Sequence, residues 1–284
     1  MANRGDGMYH IGMTQWIVGD EPLEVSCKRL QQCGYDGIEF AADPYGLNAD
    51  ECQIMMKKYD LNCRSLCGIF GEDRDLTDKG ENGKRAVQYL KDSVDFAVKV
   101  GAELIIVVPS PVGRIIKPAG FTVEELTENA VNNIREVADY AEEKGIKLAI
   151  EAINRYETYF ANTLTKAYAL VKRINHKAVG IMADLFHMSI EERSISESLL
   201  MIRDELVHVH IADNTREAAG MGSTDFKEVL RILKSIGYQG SLTMEFMYRV
   251  ADPYSAIEFS TQTDLMDRYA KQSIDYIRVI ERSL

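Results

Sequence analysis

The sequence predicts a (β/α)8 barrel, a TIM barrel, formed as one domain over residues 1–284. Three observations carry that expectation. Short apolar runs rich in Val, Ile and Leu alternate eight times with helical patterns, which closes into a barrel more naturally than into an open sheet. Most runs lack strict apolar–polar alternation, as parallel strands covered on both faces should. No G-x-G-x-x-G opens a helix, so the main reason to prefer a dinucleotide-binding sheet is missing. The length would also accommodate two ordinary domains, but barrels of about 250 residues are single domains. Gly and Pro are scattered as punctuation, with no linker between halves.

Taken in order, the first strand is expected at His10–Thr14 and its helix at Pro22–Cys33. The next pairs are Gly37–Ala41 with Ala49–Tyr59, Asn62–Gly68 with Lys84–Val100, and Ala102–Pro109 with Val123–Lys144. Thr122 and Glu125 form a T-x-x-E capping box ahead of that long fourth helix. The second half continues with Ile146–Glu151 and Leu164–Ile174, Val179–Asp184 and Ile195–Arg203, Leu206–Ala212 and Phe226–Ile236, and Ser241–Phe246 and Asp264–Arg282. Gly101, Gly145 and Gly237 sit where helices should stop. A weak internal echo supports repetition: Gly34-Tyr35-Asp36-Gly37-Ile38-Glu39-Phe40 resembles Gly237-Tyr238-Gln239-Gly240 followed by Met244-Glu245-Phe246.

Composition excludes several function classes. The formal net charge is −11, which argues against a basic face for nucleic acid. The best apolar run, Leu104–Val108, is far too short to cross a membrane. The opening MANRGDGMYH has no apolar leader, and the odd set Cys27, Cys33, Cys52, Cys63 and Cys67 reads as reduced thiols. A cytoplasmic protein is therefore expected, with Cys63 and Cys67 packing in a strand.

Function in such a barrel sits at the C-terminal ends of the strands. The fifth strand ends in Glu151, the sixth in Asp184, the seventh in His210 and the eighth in Glu245, at spacings of 33, 26 and 35 residues. Each spacing is one strand–helix unit, so closing the barrel brings all four around one point. A lone acidic strand end is usually a cap or a turn residue. Four in succession would repel one another unless a cation or protons intervene. Three carboxylates and one imidazole favour an ion with open coordination positions, with Mn²⁺ expected and Co²⁺ or Mg²⁺ as alternatives.

Glu157, His187 and Arg216 lie just beyond strands five, six and seven, on the face where a substrate would bind. Each also has a plainer reading: His187 as a capping histidine, Glu157 and Arg216 as a surface ion pair. His208 alternates with His210 on a strand and is expected in packing. His10 is expected in the core and His176 in a solvated turn. Asp213 fits either support of a metal ligand or a turn.

These residues resemble the xylose-isomerase-like sugar isomerase/epimerase superfamily, and within it the D-tagatose 3-epimerase (D-psicose or D-allulose 3-epimerase) family. The resemblance is carried by Glu151 with Asn154-Arg155-Tyr156-Glu157, by Asp184-Leu185-Phe186-His187-Met188-Ser189-Ile190-Glu191-Glu192, by His210 with Asn214 and Arg216, and by Met244-Glu245-Phe246-Met247. It runs from about Tyr9 onward. It implies that Glu151, Asp184, His210 and Glu245 hold one divalent metal, and that Glu157, His187 and Arg216 contact substrate oxygens. It further implies C3 inversion of a free ketohexose through a cis-enediolate, with Glu151 and Glu245 as acid and base on opposite faces, in a homodimer or homotetramer.

The sequence departs from the family pattern in three places. Pro109-Ser110-Pro111-Val112-Gly113-Arg114 lacks the family's aromatic pocket residues, Phe246 directly follows Glu245, and Gly220-Met221-Gly222-Ser223 lacks an Arg. These bear on the substrate rather than the metal centre. They keep open a catalytic subunit of a C-glycoside deglycosidase, which would need a second subunit, and an aldose–ketose isomerase. The superfamily's three-zinc DNA-repair endonuclease is disfavoured by only five histidines and an acidic balance. A binding protein without catalysis would be indifferent to loss of the metal.

Overall fold

The computed structural model describes residues 7–248 and 263–284. Residues 1–6, which open the segment read above as carrying no leader, lie outside them. Eight parallel strands close in sequence order: β1 (Ile11–Thr14), β2 (Gly37–Ala41), β3 (Ser65–Cys67), β4 (Leu104–Val107), β5 (Lys147–Glu151), β6 (Val179–Asp184), β7 (Leu206–Ile211) and β8 (Leu242–Met244). β1 pairs with both β2 and β8, which seals the barrel.

The helices are α1 (Leu23–Cys33), α2 (Ala49–Tyr59), α3 (Glu81–Val100), α4 (Val123–Glu143), α5 (Leu164–Ile174), α6 (Leu185–Glu191), α7 (Ile195–Met201), α8 (Phe226–Ser235) and α9 (Thr263–Glu281). Their starts are chemically marked. Thr122 and Glu125 satisfy each other's backbone donors in the expected capping box. The Asn48 side chain accepts from the first-turn amides of Asp50 and Glu51. Gly101 ends α3 at φ +79°, a left-handed conformation that favours glycine.

Two short elements were not anticipated. A 3-10 turn, Trp16–Val18, follows β1. Helix α6 follows β6 with no intervening loop, because Asp184 ends the strand and also caps the helix, its side chain accepting from His187 N. Strands three, four and eight are shorter than expected; Asn62 makes only an isolated bridge with Gly37.

The alternation of strand side chains sets the site. Ile105, Val107, Leu148, Ile150 and Ile181 belong to the large apolar shell. Leu104, Ile106, Ala149 and Met182 form a separate small cluster on the opposite strand faces, filling the barrel. Continuing the two-residue period from Ala149 and Met182 places Glu151 and Asp184 just above this plug. All five cysteines are free, and Cys63 packs in the apolar shell as expected. Among the described residues, no helix is long and apolar enough to cross a membrane.

Candidate metal centre

Glu151 and Asp184 at the ends of β5 and β6, His210 one residue before the end of β7 and Glu245 one residue after β8 meet at the mouth of the barrel, and all four side chains are buried. They form two overlapping triads. One ligand atom each from Asp184, His210 and Glu245 lie within 4.8 Å of one another, and Glu151, Asp184 and His187 form a second such group. Asp184 belongs to both; Glu151 and Glu245 fall in different triads.

His210 Nδ1 is the clearest indication of what the site is built to hold. It lies 3.3 Å from Glu245 Oε2 and 3.7 Å from Asp184 Oδ2. Neither oxygen is placed to take a hydrogen bond from it, so this fully buried nitrogen has no such partner among the described residues. A nitrogen lone pair converging with two carboxylates is the donor set of a divalent cation, and the residues present fit one.

The remaining carboxylate oxygens are held in place. Asp184 Oδ1 accepts from His187 N at 3.0 Å, and Glu245 Oε1 accepts from Trp16 Nε1 at 2.8 Å. Burial pushes the Glu151 carboxyl well above the usual range, and repulsion from Glu245 adds to it. Burial works the other way on His210, but Glu39 and Glu245 prevail and raise it well above the usual histidine range. Burial also opposes ionisation of Asp184, yet His187 and His210 hold it far below the usual carboxylate range.

Above this centre lie the other three expected residues. Glu157 and Arg216 do pair, at 3.3 Å, but the pair is buried rather than on the surface. Arg216 also lies 3.6 Å from Glu245 Oε2 and stacks 4.6 Å over the Phe186 ring. Asn154 organises the group. Its Oδ1 accepts from Tyr156 N at 2.9 Å, which fixes the amide's orientation. Its Nδ2 therefore donates, to Glu157 Oε1 and to His187 Nδ1, both at 2.8 Å. The His187 proton is thereby assigned to Nε2, which points toward Glu151 Oε1 at 3.9 Å.

Asp213 resolves as a turn organiser. Its carboxylate accepts from the backbone N–H of Asn214, Gly220, Gly222 and Thr224. Gly222 is required there, since a Cβ would come within 2.4 Å of the Asp213 carboxylate. This loop holds Arg216 at φ +61° and presents its side chain to the site.

Residues missed in the sequence lie on the first half of the barrel. Glu39, inside β2, sits 3.0 Å from His210 Nε2 and 3.0 Å from His208 Nε2. His208 thus lies one layer below the centre, buried as expected, but engaged with a carboxylate rather than in plain packing. Trp16 was also missed. The cavity over the site measures about 380 Å³. Glu151, Glu157, His187, Arg216 and Glu245 line one side, and Trp16, Phe70, Val108 and Val112 face them. Cys67 lines it too, beyond its expected packing role.

The family model for a xylose isomerase-like TIM barrel matches residues 27–278. The chain belongs to that family. Within the xylose isomerase-like barrels, it is 31% identical over 231 residues to the L-ribulose 3-epimerase of Methylomonas sp. strain DH-1, covering 78% of each chain. It is 29% identical over 243 residues to the 3-dehydro-D-guloside 4-epimerase of Escherichia coli K12, covering 80% of this chain and 88% of that one. Among solved structures, the D-allulose 3-epimerase of Methylomonas sp. in complex with D-allulose superposes with a TM-score of 0.82 at 25% identity, covering 96% of this chain and 97% of that one.

Proposed function

We propose that this protein is a divalent-metal-dependent ketose 3-epimerase, an isomerase that inverts C3 of a free ketohexose of the psicose, fructose or tagatose type. The observation that carries the reading is the bare, buried His210 Nδ1 converging on Asp184 and Glu245, with Glu151 in the neighbouring triad. The similarity to enzymes named 3-epimerases supports the sugar and the carbon.

Glu151, Asp184, His210 and Glu245 would hold the metal, with Mn²⁺ the expected ion. The metal, when bound, would supply a positive charge against which negative charge can build on a ketone oxygen. The protein side chains do the proton work. Inversion needs a proton removed from one face of C3 and returned to the other. Glu151 and Glu245 stand in different triads and both line the cavity, so they serve as the two bases. The epimer bound decides which one abstracts. His187, donating from Nε2, and Arg216 would hold O1 and O2, with Glu157 accepting from a hydroxyl. A homo-oligomer is proposed on the family resemblance alone.

A second reading is deprotonation of an oxidised glycoside. It draws on the relative named as a 3-dehydro-D-guloside 4-epimerase and on the apolar wall at Val108 and Val112. The C-glycoside deglycosidase alternative belongs to this class and would need a partner subunit.

The deciding experiment is proton NMR in D₂O with Mn²⁺-reconstituted protein and a panel of ketoses. Deuterium entering at C3 together with the C3 epimer supports the epimerase. A C1/C2 change would instead indicate aldose–ketose isomerisation. No exchange on any free ketose, with metal bound, moves the assignment to an oxidised glycoside.

A further inference from the structure

We propose that Glu39 is a positioning residue that dictates which nitrogen of His210 faces the metal. The proposal rests on the metal-dependent reading above and adds a residue outside the four ligands. Glu39 lies in the middle of β2, with its side chain inside the barrel and 1% exposed. Oε1 is 3.0 Å from His210 Nε2. Oε2 is 3.0 Å from His208 Nε2 and accepts from Ser65 Oγ. The Ser65 hydroxyl anchors Oε2, which leaves Oε1 facing His210.

A carboxylate only accepts hydrogen bonds. When His210 carries one proton, that proton is drawn to Nε2, and Nδ1 keeps its lone pair. Nδ1 is the atom found without a hydrogen-bond partner among the described residues and aimed between Asp184 and Glu245. The other tautomer would set the Nε2 lone pair against Oε1 in the dry barrel interior, with no donor between them. It would also block the metal-facing nitrogen with a proton. A carboxylate behind a ligating histidine further strengthens that histidine as a donor to the metal. Glutamine is a poor substitute here. Its amide can present an NH₂ to His210 Nε2, which would favour the proton on Nδ1, and its neutral oxygen is a weaker acceptor than a carboxylate.

The test is made on the full-length protein without any sugar. Metal-free wild type and Glu39→Gln are titrated with Mn²⁺ by calorimetry. The Zn²⁺-loaded wild type is read by ¹⁵N-resolved NMR, with His210 assigned among the five histidines by single substitution. Glu39→Gln is expected to weaken Mn²⁺ binding ~10–100-fold while the metal-free thermal midpoint stays near wild type. His210 in the Zn²⁺ form is expected to carry a solvent-protected proton on Nε2. A folded Glu39→Gln with Mn²⁺ affinity within about twofold of wild type, on the scale of that expected loss, would overturn the proposal. So would a proton on Nδ1, and that NMR result needs no variant to fold. Wild type that takes up no divalent metal would refute the metal reading itself. Absence of epimerase activity, with metal bound as described, would leave Glu39's role standing.

Discussion

The two halves of the barrel contribute differently. Glu151 and Asp184 end β5 and β6, His210 lies one residue before the end of β7, and Glu245 lies one residue beyond β8, so this half carries the ionisable groups at the mouth. The first half faces them with an apolar wall, in which Trp16 follows β1, Cys67 ends β3 and Val108 follows β4. Its polar contributions are made from behind or from the side. Glu39 engages the rear of His210, and Trp16 Nε1 holds one oxygen of Glu245. One half supplies the reactive groups, then, and the other aims them and shapes the space they face. This division follows from burial. Clustered carboxylates need cations and donors around them, and a wall facing them that added more negative charge would only deepen the repulsion.

The sharpest test of that division is Glu245→Gln. Proton transfer by a positioned side chain contributes ~10²–10⁴-fold, and this residue is also a proposed metal ligand. Loss of at least ~10³-fold in turnover is expected, with the fold retained, read as deuterium entry at C3. Near-normal turnover would end the two-base assignment. Metal removal comes next. Chelation should abolish exchange, and Mn²⁺ or Co²⁺ should restore it; full activity in a metal-free preparation would refute the centre.

The pH dependence of metal uptake has a definite sign. Burial and the neighbouring Glu245 raise the pKa of Glu151, and Glu39 and Glu245 raise that of His210, so protons compete with a metal for both groups. Affinity should therefore fall as pH falls, by about tenfold per unit for each proton displaced. Calorimetry in two buffers of different ionisation heat should show proton release. Metal binding that released no proton would contradict the raised values.

The strand ends of the second half were legible because a period of one strand–helix unit brings them to a common point. Asp184 is a useful case. The plain reading as a helix cap and the functional reading as a metal-facing carboxylate are both true, since one oxygen takes His187 N and the other turns to His210. Glu39 was not legible by the same rule. It lies inside β2 rather than at its end, and looking only at what terminates each strand passes over it. Yet the internal echo contained it. The same Glu-Phe pair occurs at Glu39-Phe40 and Glu245-Phe246, and the residues just before them, Ile38 and Met244, both pair with Met13 of β1. Trp16 left no such trace, because a single aromatic after a short strand has the composition of ordinary core.

Among the substrate contacts, smaller effects are expected. Arg216→Ala should raise KM ~10-fold, equivalent to about 1.4 kcal/mol, with a modest loss of stability; an unchanged KM would count against its role. Arg216→Gly should lose the same binding but be more stable than the alanine variant, because only glycine accepts φ +61° without strain. Asn154→Ala should cost less again, a few-fold in KM, since it removes the support of Glu157 and His187 but leaves both groups present.

The smallest effect should come from the apolar wall. Val112 lines the cavity, and its loop is tied across the mouth by Val112 N to Phe70 O at 3.0 Å and Gly113 N to Glu157 O at 2.8 Å. Val112→Ala removes apolar surface while leaving both backbone bonds. At ~0.8 kcal/mol for each buried methylene equivalent, and with Val112 only half-buried, KM should rise about threefold. The rate of C3 exchange at saturating sugar should not change, because the Val112 side chain carries no group that can donate or accept a proton. A loss in kcat as large as the loss in KM would break the comparison, since it would mean that the first half of the barrel takes part in the transition state and not only in holding the substrate.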